Sequence, residues 1–200
     1  LRTQKKIIRH KRQLKTDRMT EKSAKILFHG QCFDGFSSAA LFSRFLREHL
    51  DHHAPIEYIE LKHGMEHLVI PQALTADINC IVDFRYVADE RLHWWFDHHR
   101  TAFLSEADQA HYETQNNEQH FWDASEPSCA GYIARVLAER FGFDVQSVEN
   151  LIKWANFIDS AGYASPEEPV ELREPALQLM TVIEHLKDTA SIKNTIEAMS

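Results

Sequence analysis

The stretch ILFHGQCFDGFSSAALF, Ile26 to Phe42, joins an apolar strand-like segment to a short polar turn and then to a helix-like segment. Three side chains with metal-binding or nucleophilic chemistry, His29, Cys32 and Asp34, lie on or near that turn. Because ligands of an open parallel sheet bind at the carboxyl ends of its strands, this turn is the first candidate for a functional site.

Outward from this stretch, strand-like and helix-like segments alternate, which is typical of a parallel sheet covered by helices on both faces. Short apolar segments rich in branched and aromatic residues predict four strands and a weaker fifth. They are 25–28, 56–61, 80–84, 94–96 and, as the weaker one, 119–122. Residues 37–50 predict an amphipathic crossover helix, with Ser37 available as its N-cap.

Beyond Trp122 the strand pattern ends and helical patterns take over. Three helices are predicted, at 129–142, 145–159 and 174–186, and Gly142 is suited to end the first of them. The loop 160–175, rich in Pro and Glu, indicates a boundary or a lid. The predicted fold class is therefore α/β, a mainly parallel β-sheet with helices on both faces and a helical C-terminal part.

The composition favours one soluble globular domain: the chain has 200 residues, of which 44% are hydrophobic, enough to bury a core. No apolar run reaches the roughly 18 residues of a membrane span, and the N-terminus lacks the apolar stretch of a signal peptide. The three cysteines are too widely separated for a disulfide framework or a zinc finger. We therefore expect a cytoplasmic protein without a membrane partner.

The net charge of −8 is distributed unevenly. Residues 1–18 hold eight Lys or Arg against one acidic residue, so the remaining residues carry −15. This negative charge argues against binding a nucleic-acid duplex through a broad basic face, although a metal can still hold a small anionic substrate. We divide the chain into a basic extension, 1–22, and one domain, 23–200. The extension is either an arm for nucleic acid or membrane surfaces, or a segment outside the folded domain; the oligomeric state is left open.

Polar residues that follow the predicted strands are of one chemical kind, carboxylates and imidazoles. They are His29, Asp34, Asp83, Asp97, His98 and His99, with Asp159 on a later helix. Converging oxygen and neutral nitrogen ligands suit divalent manganese, iron, cobalt or zinc. Each has another interpretation when taken alone, because an Asp after a strand is often a helix cap or a turn residue and a single His is often packed or on the surface.

The tripeptide Asp-His-His occurs twice, at 51–53 and 97–99. The first copy follows a predicted amphipathic helix, whose C-terminal end favours histidines in solvent. The second copy follows a predicted buried strand, at the sheet edge where the other candidates gather. We assign only the second copy to the site.

At this point the sequence resembles a known family, the DHH phosphoesterases, named for the third of their four motifs. FHGQCFDGFSSAAL (28–41), IVDF (81–84), FDHHR (96–100) and NFIDSAG (156–162) resemble these motifs in order. DASEPSCAGYIARVL (123–137) resembles the linker and helix between the last two. The resemblance extends over about residues 25–162.

The resemblance implies a hydrolase for phosphodiesters or phosphomonoesters that uses one or two divalent ions, usually Mn²⁺. Asp83 would bridge both ions, and His29 would complete the shell of the first. Asp34, His98 and Asp159 would surround the second. His99 would face the substrate phosphate, Asp97 would orient its neighbours, and Arg100 would contact phosphate or be an ordinary surface arginine.

Two departures from the family pattern bear on function. Cys32 stands where many members have a carboxylate for the first metal; it is either a thiol ligand that favours softer ions or a small packed side chain. No glycine-rich C-terminal substrate domain is recognisable before Ser200, so the chain is a fragment or a compact member. The expected partner is a phosphate-containing small molecule or short single-stranded nucleic acid. The alternative function is a catalytically weak relative that binds a nucleotide or a protein, and an unrelated α/β protein is the third.

Overall fold

The computed structural model describes residues 22–51, 53–64, 66–115 and 118–200. The predicted basic extension, apart from Lys22, lies outside the described residues, and the division at residues 22 and 23 stays a prediction. Within the described part of the chain, no helix has both the length and the apolar character needed to cross a membrane.

Five strands form one parallel sheet in the order β2-β1-β3-β4-β5. Their bounds are Ala24–His29 (β1), Ile56–Leu61 (β2), Ile78–Val82 (β3), Trp94–Asp97 (β4) and His120–Trp122 (β5). All five predicted strands are present. The third is shifted, because it ends at Val82 and leaves Asp83 and Phe84 outside the strand.

Helices cover the two faces of the sheet. Their bounds are Phe33–Phe45 (α1), Glu66–Ala73 (α2), Glu106–Thr114 (α3), Cys129–Phe141 (α4), Glu149–Asp159 (α5), Glu168–Glu171 (α6), Pro175–His185 (α7) and Thr189–Met199 (α8). A π-helical turn, Leu46–Leu50, extends α1, and a 3₁₀ turn, Gln146–Val148, precedes α5. The α/β fold class and the helical C-terminal part are therefore confirmed.

The alternation of side chains along the strands creates a separate core on each face. Ile26 and Phe28 of β1 pack on the face covered by α1, α4, α5, α7 and α8. Leu27, between them, packs on the opposite face with residues of α2 and with the loop after β3. The sheet is thus buried on both faces, as its short continuous apolar strands predict.

The structure corrects the expected start of the crossover helix. Ser37 is not the N-cap: it lies one turn inside α1, fully buried, and its hydroxyl donates to the carbonyl oxygen of Phe33. The N-cap is Cys32. The helix begins earlier because Phe33 and Phe36 are buried in the core beside the sheet, so apolar burial decides the boundary rather than the available hydroxyl.

The strand order reverses between β1 and β3, and this reversal prepares a binding crevice. The chain leaves β1 into α1 on one face, whereas it leaves β3 into a loop whose Phe84 and Tyr86 pack on the other face. Connections that depart to opposite faces leave a gap at the carboxyl ends of the two strands. The gap is the place to look for a site.

Candidate metal centre

The predicted ligands gather at the carboxyl edge of the sheet. His29 is the last residue of β1, Asp83 directly follows β3, and Asp97 is the last residue of β4. Asp34 lies in the first turn of α1, and Asp159 is the last residue of α5. Parallel strands place their carboxyl ends at one edge, so residues far apart in the sequence become neighbours.

One group of possible ligand atoms comes from His29, Asp83 and His99, and these atoms lie within 4.8 Å of one another. Oδ2 of Asp83 is 3.5 Å from Nδ1 of His29, and Oδ1 of Asp83 is 3.7 Å from Nδ1 of His99. Nδ1 of His99 is also 2.7 Å from Oδ1 of Asp97, whereas Nδ1 of His29 and both oxygens of Asp83 have no hydrogen-bond partner among the described residues. His29 and Asp83 are therefore the members of this group best suited to bind an ion. We call this the His29 group.

A second group comes from Asp34, His98 and Asp159. Nε2 of His98 is 3.6 Å from Oδ2 of Asp34 and 3.3 Å from Oδ2 of Asp159. The same nitrogen is 3.6 Å from Oδ1 of Asp83. We call this the His98 group. Asp83 lies between the groups, with one oxygen towards His29 and the other towards His98.

Several polar atoms of the two groups are buried without a hydrogen-bond partner among the described residues. They are both carboxylate oxygens of Asp83, Nδ1 of His29 and Nε2 of His98. A buried carboxylate without a partner is costly, because its charge loses the solvation of water and gains nothing in return. A cation that accepts electron pairs from all four atoms would remove this cost.

Hydrogen bonds on the far side of two imidazoles select their tautomers. Nδ1 of His98 is 3.1 Å from the carbonyl oxygen of Glu126, which can only accept, so Nδ1 carries the hydrogen and Nε2 keeps its lone pair. Nδ1 of His99 is 2.7 Å from Oδ1 of Asp97 and likewise donates. Nε2 of His98 is therefore ready as a metal ligand, and Nε2 of His99 is available to another partner.

Asp97 organises the turn after β4. Its buried Oδ1 accepts the backbone N–H groups of His98 at 2.9 Å and His99 at 3.3 Å, in addition to the ring of His99. The carbonyl oxygen of His99 accepts the indole N–H of Trp122. The arrangement agrees with the orienting role that the sequence assigned to Asp97, which stays a prediction until function is measured.

The N-terminus of α4 holds Asp34, a contact that the sequence analysis missed. Oδ2 of Asp34 accepts the N–H of Cys129 at 2.7 Å, and Oδ1 accepts that of Ala130 at 3.0 Å. Free N–H groups and the positive end of the helix dipole favour a carboxylate there. The sequence feature that could have indicated a helix N-terminus here is Ser128, a typical N-cap residue. Its hydroxyl accepts the N–H of Gly131.

A close joint between α4 and α5 positions Asp159. The hydroxyl of Ser128 donates to Oδ1 of Asn156, three residues before Asp159 on α5, at 2.7 Å. Gly131 on α4 permits the approach, because a Cβ at that position would overlap Oδ1 of Asn156. The joint thus fixes where α5 ends relative to the site.

Asp83 adopts a left-handed backbone conformation with φ of 54°. Its N–H donates to the carbonyl oxygen of Phe96 on β4, so the chain turns sharply while still bonded to the neighbouring strand. Non-glycine residues rarely take this conformation, and such strain concentrates at functional sites. The turn brings both oxygens of Asp83 into the gap between the ligand groups.

Burial and crowding shift the pKa values of the ligands. Burial, followed by His63 and His99, lowers the pKa of His29 to about 4, so its imidazole is neutral at physiological pH. Burial and Asp159 raise the pKa of Asp34 to about 6. Burial, with Asp34 as the next cause, raises the pKa of Asp83 well above its usual value. The metal-free site therefore disfavours the anionic charge that a cation would stabilise.

The two remaining predicted residues lie near the site without joining either group. Cys32, half-buried, is outside both groups of ligand atoms. Burial, Asp83 and Asp34 raise the pKa of its thiol, which opposes formation of the thiolate. Arg100 is exposed directly after the triplet 97–99. Their roles in metal and phosphate binding stay predictions.

A further imidazole at the site was missed by the sequence analysis. The ring of His63, in the loop after β2, lies 5.0 Å from that of His29. It also stacks on Phe84, with 5.1 Å between ring centres and 20° between ring planes. The rule applied to the other strands, that polar residues after a strand reach this edge, would have found it.

Of the first Asp-His-His copy, Asp51 and His53 lie at the opposite edge of the sheet. Asp51 and His53 precede β2, and Pro55 next to them accepts a hydrogen bond from Ala24, the first residue of β1. His52 lies outside the described residues. For Asp51 and His53 the structure agrees with the expectation that this copy is away from the site.

No family model and no curated protein matches the sequence. Among solved structures, the fold is similar to that of an exopolyphosphatase-related protein from Bacteroides fragilis, with a TM-score of 0.47 and 12% sequence identity. The similarity covers 89% of this chain and 56% of that one, so the chain spans little more than half the length of that protein.

Proposed function

We propose that this protein is a divalent-metal-dependent phosphoesterase. The observation that carries the proposal is the position of Asp83, whose two unpartnered oxygens face His29 on one side and His98 on the other. A carboxylate shared by two groups of ligands is the arrangement that two-metal phosphoester hydrolysis requires.

The residues present fit the implied ions. His29 and Asp83, together with the His98 group, supply carboxylate oxygens and imidazole nitrogens, which suit Mn²⁺ and related divalent ions. The buried atoms without hydrogen-bond partners are the ones that coordination would use. Bound there, a pair of divalent ions supplies an activated water molecule and neutralises phosphate charge. We assign Asp83 as the bridging ligand. Asp34, His98 and Asp159 form the His98 group, which has two carboxylates of its own where the His29 group has one.

His99 is the residue we assign to the substrate phosphate. Its side chain is 36% exposed, compared with 9% for His98, so it is the more accessible of the two neighbouring imidazoles. The hydrogen bond to Asp97 raises the pKa of His99, which favours the cationic form that binds an anion. We also assign a charge-assisted hydrogen bond to the same phosphate to Arg100, the next residue in the chain, which is exposed.

The net charge of the chain supports a choice of substrate class. Residues 19–200 carry a net charge of −15, which opposes long nucleic acid but tolerates a single phosphate group neutralised by cations. We therefore propose a phosphate-containing small molecule, such as a nucleotide, or a short single-stranded oligonucleotide as the substrate.

The test combines metal analysis with hydrolysis. Protein purified without chelator should contain manganese or a related divalent ion, and with added manganese it should hydrolyse a dinucleotide, a nucleotide monoester or short inorganic polyphosphate. His98→Ala should lower metal affinity by more than about 100-fold, because even residues that only support a ligand are worth about 10–100-fold.

His53→Ala is the matched control, since it removes an imidazole from the opposite edge of the sheet. It should leave metal content and hydrolysis unchanged. Equal losses in the two variants, or no hydrolysis of any of these substrates by metal-loaded protein, would contradict the proposed function.

A second candidate function is a catalytically weak relative that binds a nucleotide or a partner protein. The observation that favours it is the His29 group, which contains one carboxylate and to which Cys32 adds no ligand atom. Under this alternative, metal and nucleotide bind but no ester is cleaved at any manganese concentration. The hydrolysis assay above separates the two.

A further inference from the structure

The loop after β2 brings His63 to the active edge of the sheet. In the register of the sheet, Leu61 of β2 pairs with His29 of β1, so His63 lies two residues beyond the end of this pair. Since the strands are parallel, both residues emerge at the same edge. The ring contact with His29 at 5.0 Å is the consequence.

Phe84 gives the imidazole of His63 a defined orientation. The two rings are stacked, and the indole N–H of Trp95 donates to the carbonyl oxygen of Phe84 at 2.8 Å. Phe84 directly follows Asp83, so the bridging carboxylate and the platform under His63 belong to one turn. One face of the His63 ring is covered in this way, and the residue remains exposed to solvent.

The distance of His63 from the ligands decides what it can bind. It is not among the residues whose ligand atoms lie within 4.8 Å of one another, so it stands outside the shell of an ion at Asp83. The ring of His99, the third member of the His29 group, is 6.2 Å from that of His29 between ring centres. An imidazole that lies beside a metal ligand but outside the ligand group is close enough to reach the oxygens of an anion held there.

We propose that His63 is a substrate-contact residue whose ring N–H donates to a phosphate oxygen at the His29 group. The inference rests on the proposed phosphoesterase function and extends it to a residue outside the four motifs. An imidazole has at least one N–H donor whether it is neutral or protonated, so the contact does not depend on the charge of the ring. The stack on Phe84 reduces the conformational entropy lost when the contact forms.

The experiment separates the donor from the ring. His63→Phe keeps a ring to stack on Phe84 but has no donor, whereas His63→Gln has a donor without the ring. Inorganic phosphate is titrated calorimetrically into manganese-loaded protein. We expect about tenfold weaker phosphate binding in His63→Phe and His63→Ala, a smaller loss in His63→Gln, and unchanged manganese content in all three. For any ester that is cleaved, KM should rise more than kcat falls.

His53→Ala serves again as the exposed-histidine control and should bind phosphate normally. Unchanged phosphate binding in His63→Phe would overturn the proposal, because the ring alone would then be sufficient. Loss of manganese in His63→Ala would also overturn it, since His63 would then act on the metal site. If phosphate binding depends on His63 but no ester is cleaved, the contact stands and the proposed function fails. If an ester is cleaved and His63→Phe leaves its hydrolysis unaffected, the proposed function stands and the contact fails.

Discussion

Asp83 combines three unfavourable features in the metal-free protein. Its side chain is buried, its two oxygens lack hydrogen-bond partners among the described residues, and its backbone is in the left-handed region. Each feature costs free energy of folding, and bound cations would repay at least the first two. Residues that destabilise the fold in this way are expected at functional sites.

Asp83→Asn should therefore stabilise the metal-free protein while it weakens metal binding. The amide does not titrate, so the variant avoids the cost of either protonating a carboxylate or burying its charge. It also keeps the size of the side chain, and asparagine tolerates the left-handed region well. We expect the free energy of unfolding to rise by about 1–3 kcal/mol, the cost of an unsatisfied buried group. Denaturant unfolding with chelator present measures this gain, and a manganese titration measures the loss. A metal-free variant less stable than the unmodified protein would contradict this account.

Cys32 leads to a prediction of unequal metal occupancy. The His98 group with Asp83 should fill at low free manganese, whereas the His29 group, with fewer anionic ligands, should fill only at higher concentration. Cys32→Asp should tighten the weaker site by adding a carboxylate, provided that the new side chain reaches the ion. Bound manganese per chain, followed as free manganese is raised, tests both statements. Two equally tight ions in the unmodified protein would refute the inequality.

At the scale of elements, the two C-terminal helices that matter most for the site are joined to each other as well as to the sheet. The N-terminus of α4 holds Asp34, and the Ser128–Asn156 hydrogen bond connects α4 with α5, which ends at Asp159. Two of the three residues of the His98 group therefore depend on the α4–α5 joint. A change in the joint should therefore alter the affinity for the metal.

Gly131→Ala should weaken the His98 group specifically. The added methyl group overlaps Oδ1 of Asn156, so α5 must shift or the Ser128–Asn156 bond must break. We expect manganese affinity to fall about tenfold, with a loss of about 1–3 kcal/mol of stability despite the better helix propensity of alanine.

Gly142→Ala is the matched control at the other end of α4. Its backbone is left-handed with φ of 69°, but apart from its immediate chain neighbours no described atom lies within 4 Å of the position of a new Cβ. It should cost about 1 kcal/mol of stability and leave metal affinity unchanged. The same metal affinity in the two variants would show that the joint does not position Asp159.

At the scale of the whole molecule, proton binding links the site to global stability. Because the pKa of Asp83 is raised well above its usual value on folding, the folded metal-free chain retains a proton that the unfolded chain releases. The stability that Asp83 contributes at low pH is therefore lost as the pH rises towards its folded pKa.

The gain from Asp83→Asn should accordingly increase with pH. We expect it to be small near pH 4 and larger near pH 7, because only the unmodified chain loses stability from this group over that interval. Thermal unfolding of both proteins in chelator across this range measures the difference, and the titration of groups away from the site cancels. Manganese should raise the melting temperature of the unmodified protein much more than that of the variant. A difference that is independent of pH would contradict the linkage.

The helices show how far local sequence patterns can predict this fold. The pattern predicted α4, α5 and α7, because each has an apolar face that packs against the rest of the molecule. It missed α3, which has no buried residue, α8, which buries only Ile192 and Ile196, and α2, which contains Pro71. Helices with little apolar periodicity are formed by their tertiary surroundings, which a local pattern does not contain.

The sequence by itself determined the parallel α/β fold and the set of candidate ligands, because short apolar strands predict a sheet buried on both faces and polar residues after them must meet at one edge. The family resemblance already implied how most of the ligands divide, and the tertiary structure added His99 to the group of His29 and Asp83. Only packing could set Asp34 on the N-terminus of α4 and bring His63 beside His29. These contacts join residues distant in the chain, and they depend on a left-handed turn and on a helix joint made possible by Gly131, neither of which a strand or helix period encodes.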